Sequence, residues 1–136
     1  MFLLDTNVVS EIRKSRPNPS VRSWFDATDD ASLFLSVLVL GEIERGIVGL
    51  QDRDERRAAA LTAWLDRLRT VYRDRLLPID TGVAEVWGRL TAHRTVPAID
   101  GLLAATAKHH GMTFVTRNVD DVADLGIDVL NPFELS

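Results

Sequence analysis

The sequence opens with Met1-Phe2-Leu3-Leu4-Asp5-Thr6-Asn7, in which an apolar run ends at an aspartate. Four apolar residues in a row predict a short buried strand, and the Asp-Thr-Asn that follows is typical of a turn or a helix N-terminus. Asp5 is therefore expected at the carboxyl end of a strand. In open parallel α/β sheets ligands bind at that edge, because strand ends and the following helix N-termini meet there. The stretch alone equally allows a structural role, in which Asp5 or Thr6 only caps the next helix.

The length and composition fit one globular domain over residues 1–136. A chain with 46% hydrophobic and 26% charged residues is too apolar to be disordered. The absence of cysteine excludes disulfides and thiolate metal sites, so a metal would be held by oxygen or imidazole. No apolar stretch has the length of a membrane span or the pattern of a signal peptide. We therefore expect a cytoplasmic protein without a membrane partner.

The formal net charge of −4 is unevenly distributed. Residues 1–75 contain 12 basic and 12 acidic residues, whereas residues 76–136 contain 4 basic and 8 acidic residues. If several carboxylates gather around divalent cations, the cations offset their charge and the remaining surface is close to neutral. The net charge therefore does not exclude a phosphate-bearing substrate.

Short apolar runs alternate with amphipathic segments along the chain. Strands are predicted at residues 1–4, 33–35, 76–79, 113–116 and 128–130, and the third is expected to be short or at an edge because it contains Pro78. Helices are predicted at residues 8–14, from 19 or 20 to 27, 37–50, 56–71, 81–92 and 98–110, with a polar loop or short helix at 117–124. This alternation gives β-α-β units, so the predicted fold is a three-layer α/β fold around a parallel sheet.

Four acidic positions share one feature. Asp5, Glu42, Asp100 and the 118–121 loop all lie just beyond a predicted strand or at the start of a helix that follows one. Each also has a structural explanation: Glu42 could reach solvent or pair with Arg45, Asp100 suits the positive end of a helix, and loop acids are usually solvated. Taken together, they predict a cluster at one sheet edge.

Carboxylates brought to one point repel each other unless a cation lies among them. Because only oxygen ligands are expected at this edge, the predicted cation is Mg²⁺ or Mn²⁺.

The same residues resemble those of the PIN-domain ribonucleases of the VapC type, which are toxins of type II toxin-antitoxin systems. The matching pieces occur in family order along the whole chain: Leu4-Asp5-Thr6-Asn7, Glu42-Ile43-Glu44-Arg45-Gly46, Asp100 with Leu102-Leu103-Ala104-Ala105-Thr106-Ala107, Thr116-Arg117-Asn118 and Leu130-Asn131-Pro132-Phe133. The resemblance implies a PIN fold with strand order 3-2-1-4-5.

The resemblance also implies roles for individual residues. Asp5, Glu42 and Asp100 match the acidic metal ligands of the family, and Thr6 and Thr116 match its supporting hydroxyls. These residues are expected to bind Mg²⁺, or Mn²⁺ in its place. We expect Arg117, which follows Thr116, to bind a phosphate beside the scissile one.

The fourth family acid falls ambiguously on Asn118 or Asp121. Asn118 is closer to the strand end, and its amide oxygen can reach a metal directly or through water. Asp121 is about one helical turn further on and carries a full charge. We favour Asp121, because a carboxylate gains more from a divalent ion than a neutral amide does, and we expect Asp120 to face solvent.

The implied function is a Mg²⁺-dependent endoribonuclease that cleaves RNA by metal-activated water. The implied partners are RNA, a cognate antitoxin protein and a second copy in a homodimer. The amphipathic helices at 37–50 and 56–71 are expected to form a hairpin and a groove, in which an antitoxin peptide places apolar anchors and presents a basic side chain to the acidic site.

The alternative is a regulatory binding module, either an inactive PIN-like domain or a receiver-like domain. A receiver needs paired acids after the first strand and a lysine at a late strand end, but Thr6 follows Asp5 and Lys108 lies in a predicted helix. A phosphatase of the haloacid dehalogenase type needs an aspartate where Asn7 stands.

Overall fold

Five short strands form one parallel sheet in the order β3-β2-β1-β4-β5 in the computed structural model, which describes residues 1–135. The strands are β1 (Phe2–Leu4), β2 (Leu33–Ser36), β3 (Leu76–Leu77), β4 (Thr113–Val115) and β5 (Val129–Leu130). The helices are α1 (Thr6–Arg13), α2 (Pro19–Ala27), α3 (Val37–Leu50), α4 (Glu55–Val71), α5 (Thr81–Thr91), α6 (Ala98–His110) and α7 (Val119–Val122). The predicted α/β fold and strand order are confirmed, and this order differs from the 2-1-3-4-5 order of receiver domains.

The central strand is β1, which pairs in parallel with β2 on one side and β4 on the other. Leu3 lies opposite Phe34 and Phe114 in the two ladders. Leu3, Leu4 and Phe114 are almost completely buried, and each such side chain contributes about 1.5 to 3 kcal/mol of hydrophobic stabilisation. The residue that follows β1 is therefore placed at the middle of the carboxyl edge.

Helix α1 begins at Thr6, two residues earlier than the predicted start at Val8. The difference arises because the Asp5 side chain accepts a hydrogen bond from the Thr6 backbone N–H at 2.7 Å, which caps the helix directly after the strand. Asp5 thus has both of the roles considered from the sequence: it ends a strand and caps a helix.

The remaining elements are close to their predicted positions. Strand β3 has only two residues and lies at the sheet edge before Pro78. The Ser36 hydroxyl caps α3 through the Leu38 N–H at 3.1 Å, and Gly111 ends α6 in the left-handed conformation. Within residues 117–124 the structure has the short helix α7. No helix in the described part of the chain is both long and apolar enough to cross a membrane.

Candidate metal centre

Asp5 is buried at the carboxyl end of β1, with 4% of its surface exposed. One of its oxygens accepts the Thr6 N–H, and the other accepts the Thr116 hydroxyl at 2.7 Å. Burial raises the pKa of Asp5, the hydrogen bonds from Thr116 and Thr6 oppose that rise, and the charge of Glu42 adds to it. The hydrogen bonds from Thr6 and Thr116 thus hold the carboxylate in place although its surroundings disfavour its charge.

Glu42 lies in the second turn of α3 and is partly buried. Its Oε1 accepts a hydrogen bond from the Thr6 hydroxyl at 2.6 Å, across 36 residues of sequence. Within residues 1–135 Glu42 forms no ion pair. The pairing with Arg45 that the sequence allowed is therefore not made there. Thr6 therefore connects the end of β1 to the helix that follows β2.

Asp100 lies in the first turn of α6, where the helix N-terminus favours a carboxylate. Burial nevertheless raises the pKa of Asp100 to about 6, together with the charges of Asp5, Asp121 and Glu42 and a hydrogen bond to the Asp121 side chain. The three other acids are therefore close enough to Asp100 to repel its charge. The structure brings together all four acidic side chains that we favoured from the sequence.

The structure places Asp121 close enough to Asp100 for the two charges to interact. Asp121 is partly buried and its charge raises the pKa of Asp100, whereas Asp120 and Asn118 are exposed. The Asn118 backbone N–H donates to the Thr116 hydroxyl at 3.0 Å, and the Asn118 side chain does not cap α7. The Thr116 hydroxyl thus donates to Asp5 and accepts from the start of the segment that carries Asp121.

Asn7 has a contact that the sequence did not predict. Its amide group donates to Asp5 Oδ2 at 3.4 Å, and its amide oxygen accepts the Arg117 backbone N–H at 3.3 Å. The Arg117 guanidinium lies 4.6 Å from the centre of the Phe133 ring. Asn7 therefore bridges the ends of β1 and β4. The sequence feature that could have indicated this contact is the position of Asn7, two residues after Asp5 in the first turn of α1.

The donor set fits a hard divalent cation. It consists of carboxylate and hydroxyl oxygens, and no lysine, arginine or histidine in residues 1–135 forms an ion pair with any of the four acids. Within the same range, no three aspartate, glutamate or histidine side chains converge tightly enough to enclose one ion. Mg²⁺ usually keeps several waters and takes one or two carboxylates directly, so an open arrangement of this kind suits it.

Two grooves lie beside this edge. A cleft between α1, α3 and α4 contains Thr6 and Glu42 at one end and Arg13, Lys14 and Arg57 along its walls. A second groove of about 310 Å³ lies between α1, α2 and α4, with a largely apolar lining. Its lining residues are Leu4, Val9, Ile12, Arg13, Phe25, Trp64, Arg67, Leu68, Val71 and Tyr72. The predicted α3–α4 hairpin is present, but the apolar groove lies on the side of α4 that faces α1 and α2.

Comparisons with known proteins identify the family of this chain. The PIN domain profile matches residues 2–126. The chain is 30% identical to VapC ribonuclease Y4jK from Sinorhizobium fredii and to toxin FitB from Neisseria gonorrhoeae, over 98% of this chain and 99% of each relative. The crystal structure of FitAcB from Neisseria gonorrhoeae superposes with a TM-score of 0.89 at 31% identity, covering 99% of this chain and 100% of that one. The chain belongs to the PIN-domain family, among the VapC-type toxin ribonucleases.

Proposed function

We propose that this protein is a Mg²⁺-dependent endoribonuclease and the toxin of a toxin-antitoxin pair. The observation that carries the proposal is the gathering of Asp5, Glu42, Asp100 and Asp121 at one edge without a cationic partner in residues 1–135. A cluster of this kind opposes its own ionisation, and a bound divalent cation removes that opposition. The relatives named as ribonucleases support RNA as the substrate.

The four carboxylates are the groups that would hold Mg²⁺ or, in its place, Mn²⁺. When bound, the metal activates water and neutralises charge that develops on the phosphodiester. Thr116 orients the Asp5 carboxylate and Thr6 orients that of Glu42, each through a hydrogen bond of 2.7 Å or less. These hydroxyls prevent the two acids from turning away from the edge.

Arg117 is the residue of this site that is suited to a substrate phosphate. It is exposed directly after Thr116, and its backbone is held by the Asn7 side chain. Its guanidinium lies over the Phe133 ring, which orients it without neutralising its charge. Arg117 therefore offers a bidentate contact to a phosphate near the scissile bond.

The test is cleavage of structured RNAs by the purified chain with Mg²⁺, with Mn²⁺ and with EDTA. Cleavage in either metal that stops in EDTA is expected. Binding of RNA without cleavage in any metal would instead identify an inactive PIN-like binding module.

An antitoxin protein is the proposed partner of the apolar groove between α1, α2 and α4. The groove combines Trp64, Leu68 and Val71 with Arg13 and Arg67, so it suits an amphipathic helix with acidic flanks. Arg13 and Trp64 line both this groove and the cleft that contains Glu42, so the two are adjacent. A partner chain that leaves the groove would thus reach the acidic edge, where a basic side chain would compete with the metal.

We also propose a cytoplasmic homodimer, by analogy with the family. Light scattering at micromolar concentration is expected to give twice the mass of the chain, which is 15.2 kDa. A strict monomer would remove the dimer from the proposal and leave the nuclease site unaffected. A small antitoxin gene is expected beside the gene for this chain.

A further inference from the structure

The carboxyl end of α7 is held by a residue from another part of the chain. Arg94 lies in the loop between α5 and α6. Its guanidinium donates to the Asp121 carbonyl oxygen at 2.7 Å and to the Asp120 carbonyl oxygen at 3.2 Å. Its Nε also forms an ion pair with the Asp124 carboxylate at 2.9 Å. One side chain thus makes three contacts with a single short segment.

A helix as short as α7 needs such contacts. It has four residues, and the last carbonyl groups of a helix have no partner within the helix itself. A cation at this end also interacts favourably with the helix dipole. The buried side chain of Val122, the hydrogen bond from the Asn118 N–H to Thr116 and that from the Leu125 N–H to the Val122 carbonyl also hold α7. Arg94 is therefore the side chain from another part of the chain that anchors the carboxyl end.

Arg94 holds the backbone of Asp121 and leaves its side chain free for the site. Its hydrogen bonds to Asp120 and Asp121 go to carbonyl oxygens, and its ion pair is with Asp124. The Asp121 carboxyl group is therefore not drawn away from Asp100 by the Arg94 contacts. An arginine that paired directly with the Asp121 carboxylate would compete with a cation.

The position of Arg94 in the chain connects two acidic residues of the site. The loop that contains it leads through Pro97 into α6, whose first turn carries Asp100. By binding the backbone of α7, Arg94 ties the segment that precedes Asp100 to the segment that carries Asp121.

We propose that Arg94 is a positioning residue of the metal centre, which holds α7 so that Asp121 faces Asp100. The inference rests on the proposed function, since it assigns Arg94 a role in metal binding through Asp121. This role was not predictable from the sequence, because Arg94 lies outside every motif that resembles the family.

The test is Mg²⁺ binding by the full chain, measured by titration calorimetry, alongside RNA cleavage at each Mg²⁺ concentration. Arg94→Ala is expected to raise the Mg²⁺ concentration for half-saturation about tenfold, as is typical when a residue that orients a ligand is removed. Arg94→Lys is expected to give an intermediate value, because lysine keeps the charge but lacks the planar fork. The control is Arg89→Ala, which removes an exposed arginine of α5, and it is expected to match the wild type.

A double mutant separates positioning from general loosening of the fold. If Arg94 acts through Asp121, Arg94→Ala is expected to change Mg²⁺ half-saturation much less in an Asp121→Asn background than in the wild type. Equal effects in both backgrounds would overturn the inference, because a general loss of structure does not depend on the Asp121 carboxylate. If Arg94→Ala fails to fold, Arg94→Lys is compared in the same two backgrounds.

The outcomes for the two proposals differ. A wild-type chain that neither binds Mg²⁺ nor cleaves RNA would overturn the proposed function and this inference together. A wild-type chain that does both, with Arg94→Ala and Arg94→Lys indistinguishable from Arg89→Ala, would overturn the inference about Arg94 and leave the proposed function in place.

Discussion

Two buried acids, Asp5 and Glu11, lie in the same part of the chain and have opposite surroundings. Glu11, on α1, accepts hydrogen bonds from Lys14 Nζ at 2.9 Å and from the Asn18 backbone N–H at 2.8 Å. These contacts, chiefly the one with Lys14, lower the pKa of Glu11. Asp5 has no cationic partner in residues 1–135, and burial raises its pKa.

The difference separates a structural acid from a candidate ligand. The charge of Glu11 is satisfied within the fold, so its ionisation stabilises the native state. Asp5, together with Asp100, is placed where its ionisation is opposed, and a bound cation would remove that opposition. Burial alone does not distinguish the two acids, whereas the sign of the pKa shift does.

The largest expected effect that tests this comparison is on Asp5. Asp5→Asn removes the charge and keeps the cap of α1, because asparagine is as good an N-cap as aspartate. Mg²⁺-dependent RNA cleavage is expected to fall at least about a hundredfold, which is the upper end of what loss of a ligand-orienting group causes. Thermal unfolding in EDTA checks that the variant is folded. Cleavage at the wild-type rate would show that Asp5 is as structural as Glu11.

The second test concerns the fourth ligand. Asp121→Asn is expected to raise the Mg²⁺ concentration for half-maximal cleavage about tenfold, because its carboxyl group lies against Asp100. The exposed neighbour Asp120 provides the matched control, and Asp120→Asn is expected to leave the titration unchanged. If Asn118→Ala shifts the titration while Asp121→Asn does not, then the ligand is the amide at the start of α7.

Much of the fold was predictable from local sequence. The apolar runs around Leu3, Leu35 and Phe114 predicted the three central strands, and the alternation with helices predicted a parallel sheet. The strand order followed from the family resemblance rather than from periodicity. The start of α1 was wrong by two residues, because Asp5 ends a strand and caps a helix with no residue between the two.

The candidate site was predictable in its residues but not in its contacts. Acids after strands or early in helices indicated Asp5, Glu42 and Asp100, since parallel strand ends converge. The hydrogen bond from Thr6 to Glu42 depends on how α1 and α3 pack, and local sequence carries no signal for it. The choice between Asn118 and Asp121 depended on the helical turn of α7, which the polar residues 117–124 left open.

The third test uses stability in the absence of metal. The pKa of Asp100 is raised from 3.8 to about 6, so its contribution to stability is fully present below about pH 4 and is lost as the pH rises through 6. At pH 7 in EDTA, Asp100→Asn is therefore expected to stabilise the protein, by about 1 kcal/mol after allowance for solvent screening. This corresponds to a rise of about 4 °C in Tm.

The control for this stabilisation is Asp120→Asn, which removes the same charge at an exposed position and is expected to leave Tm unchanged. Added Mg²⁺ is expected to raise Tm for the wild type at pH 7 and to have little effect on Asp100→Asn. A loss of stability in Asp100→Asn would show that this carboxylate is satisfied within the fold, as that of Glu11 is.

The smallest expected effect is on Glu11 itself. It is a loss of stability, whereas Asp100→Asn is expected to give a gain. The lowered pKa of Glu11 means that its ionisation stabilises the fold above pH 4.5 and that this contribution is lost as the pH falls below that value. Glu11→Gln is expected to cost roughly 0.5 to 1 kcal/mol at pH 7, since the amide oxygen still accepts one of the two hydrogen bonds. The cost is expected to shrink at an acidic pH, because the wild-type glutamate itself takes up a proton as the pH falls through its lowered pKa. Denaturant unfolding at both pH values measures this cost, with the exposed Glu44→Gln as the control.

Mg²⁺-dependent cleavage is expected to be unchanged in folded Glu11→Gln, so a change in metal dependence would show that this acid belongs to the site.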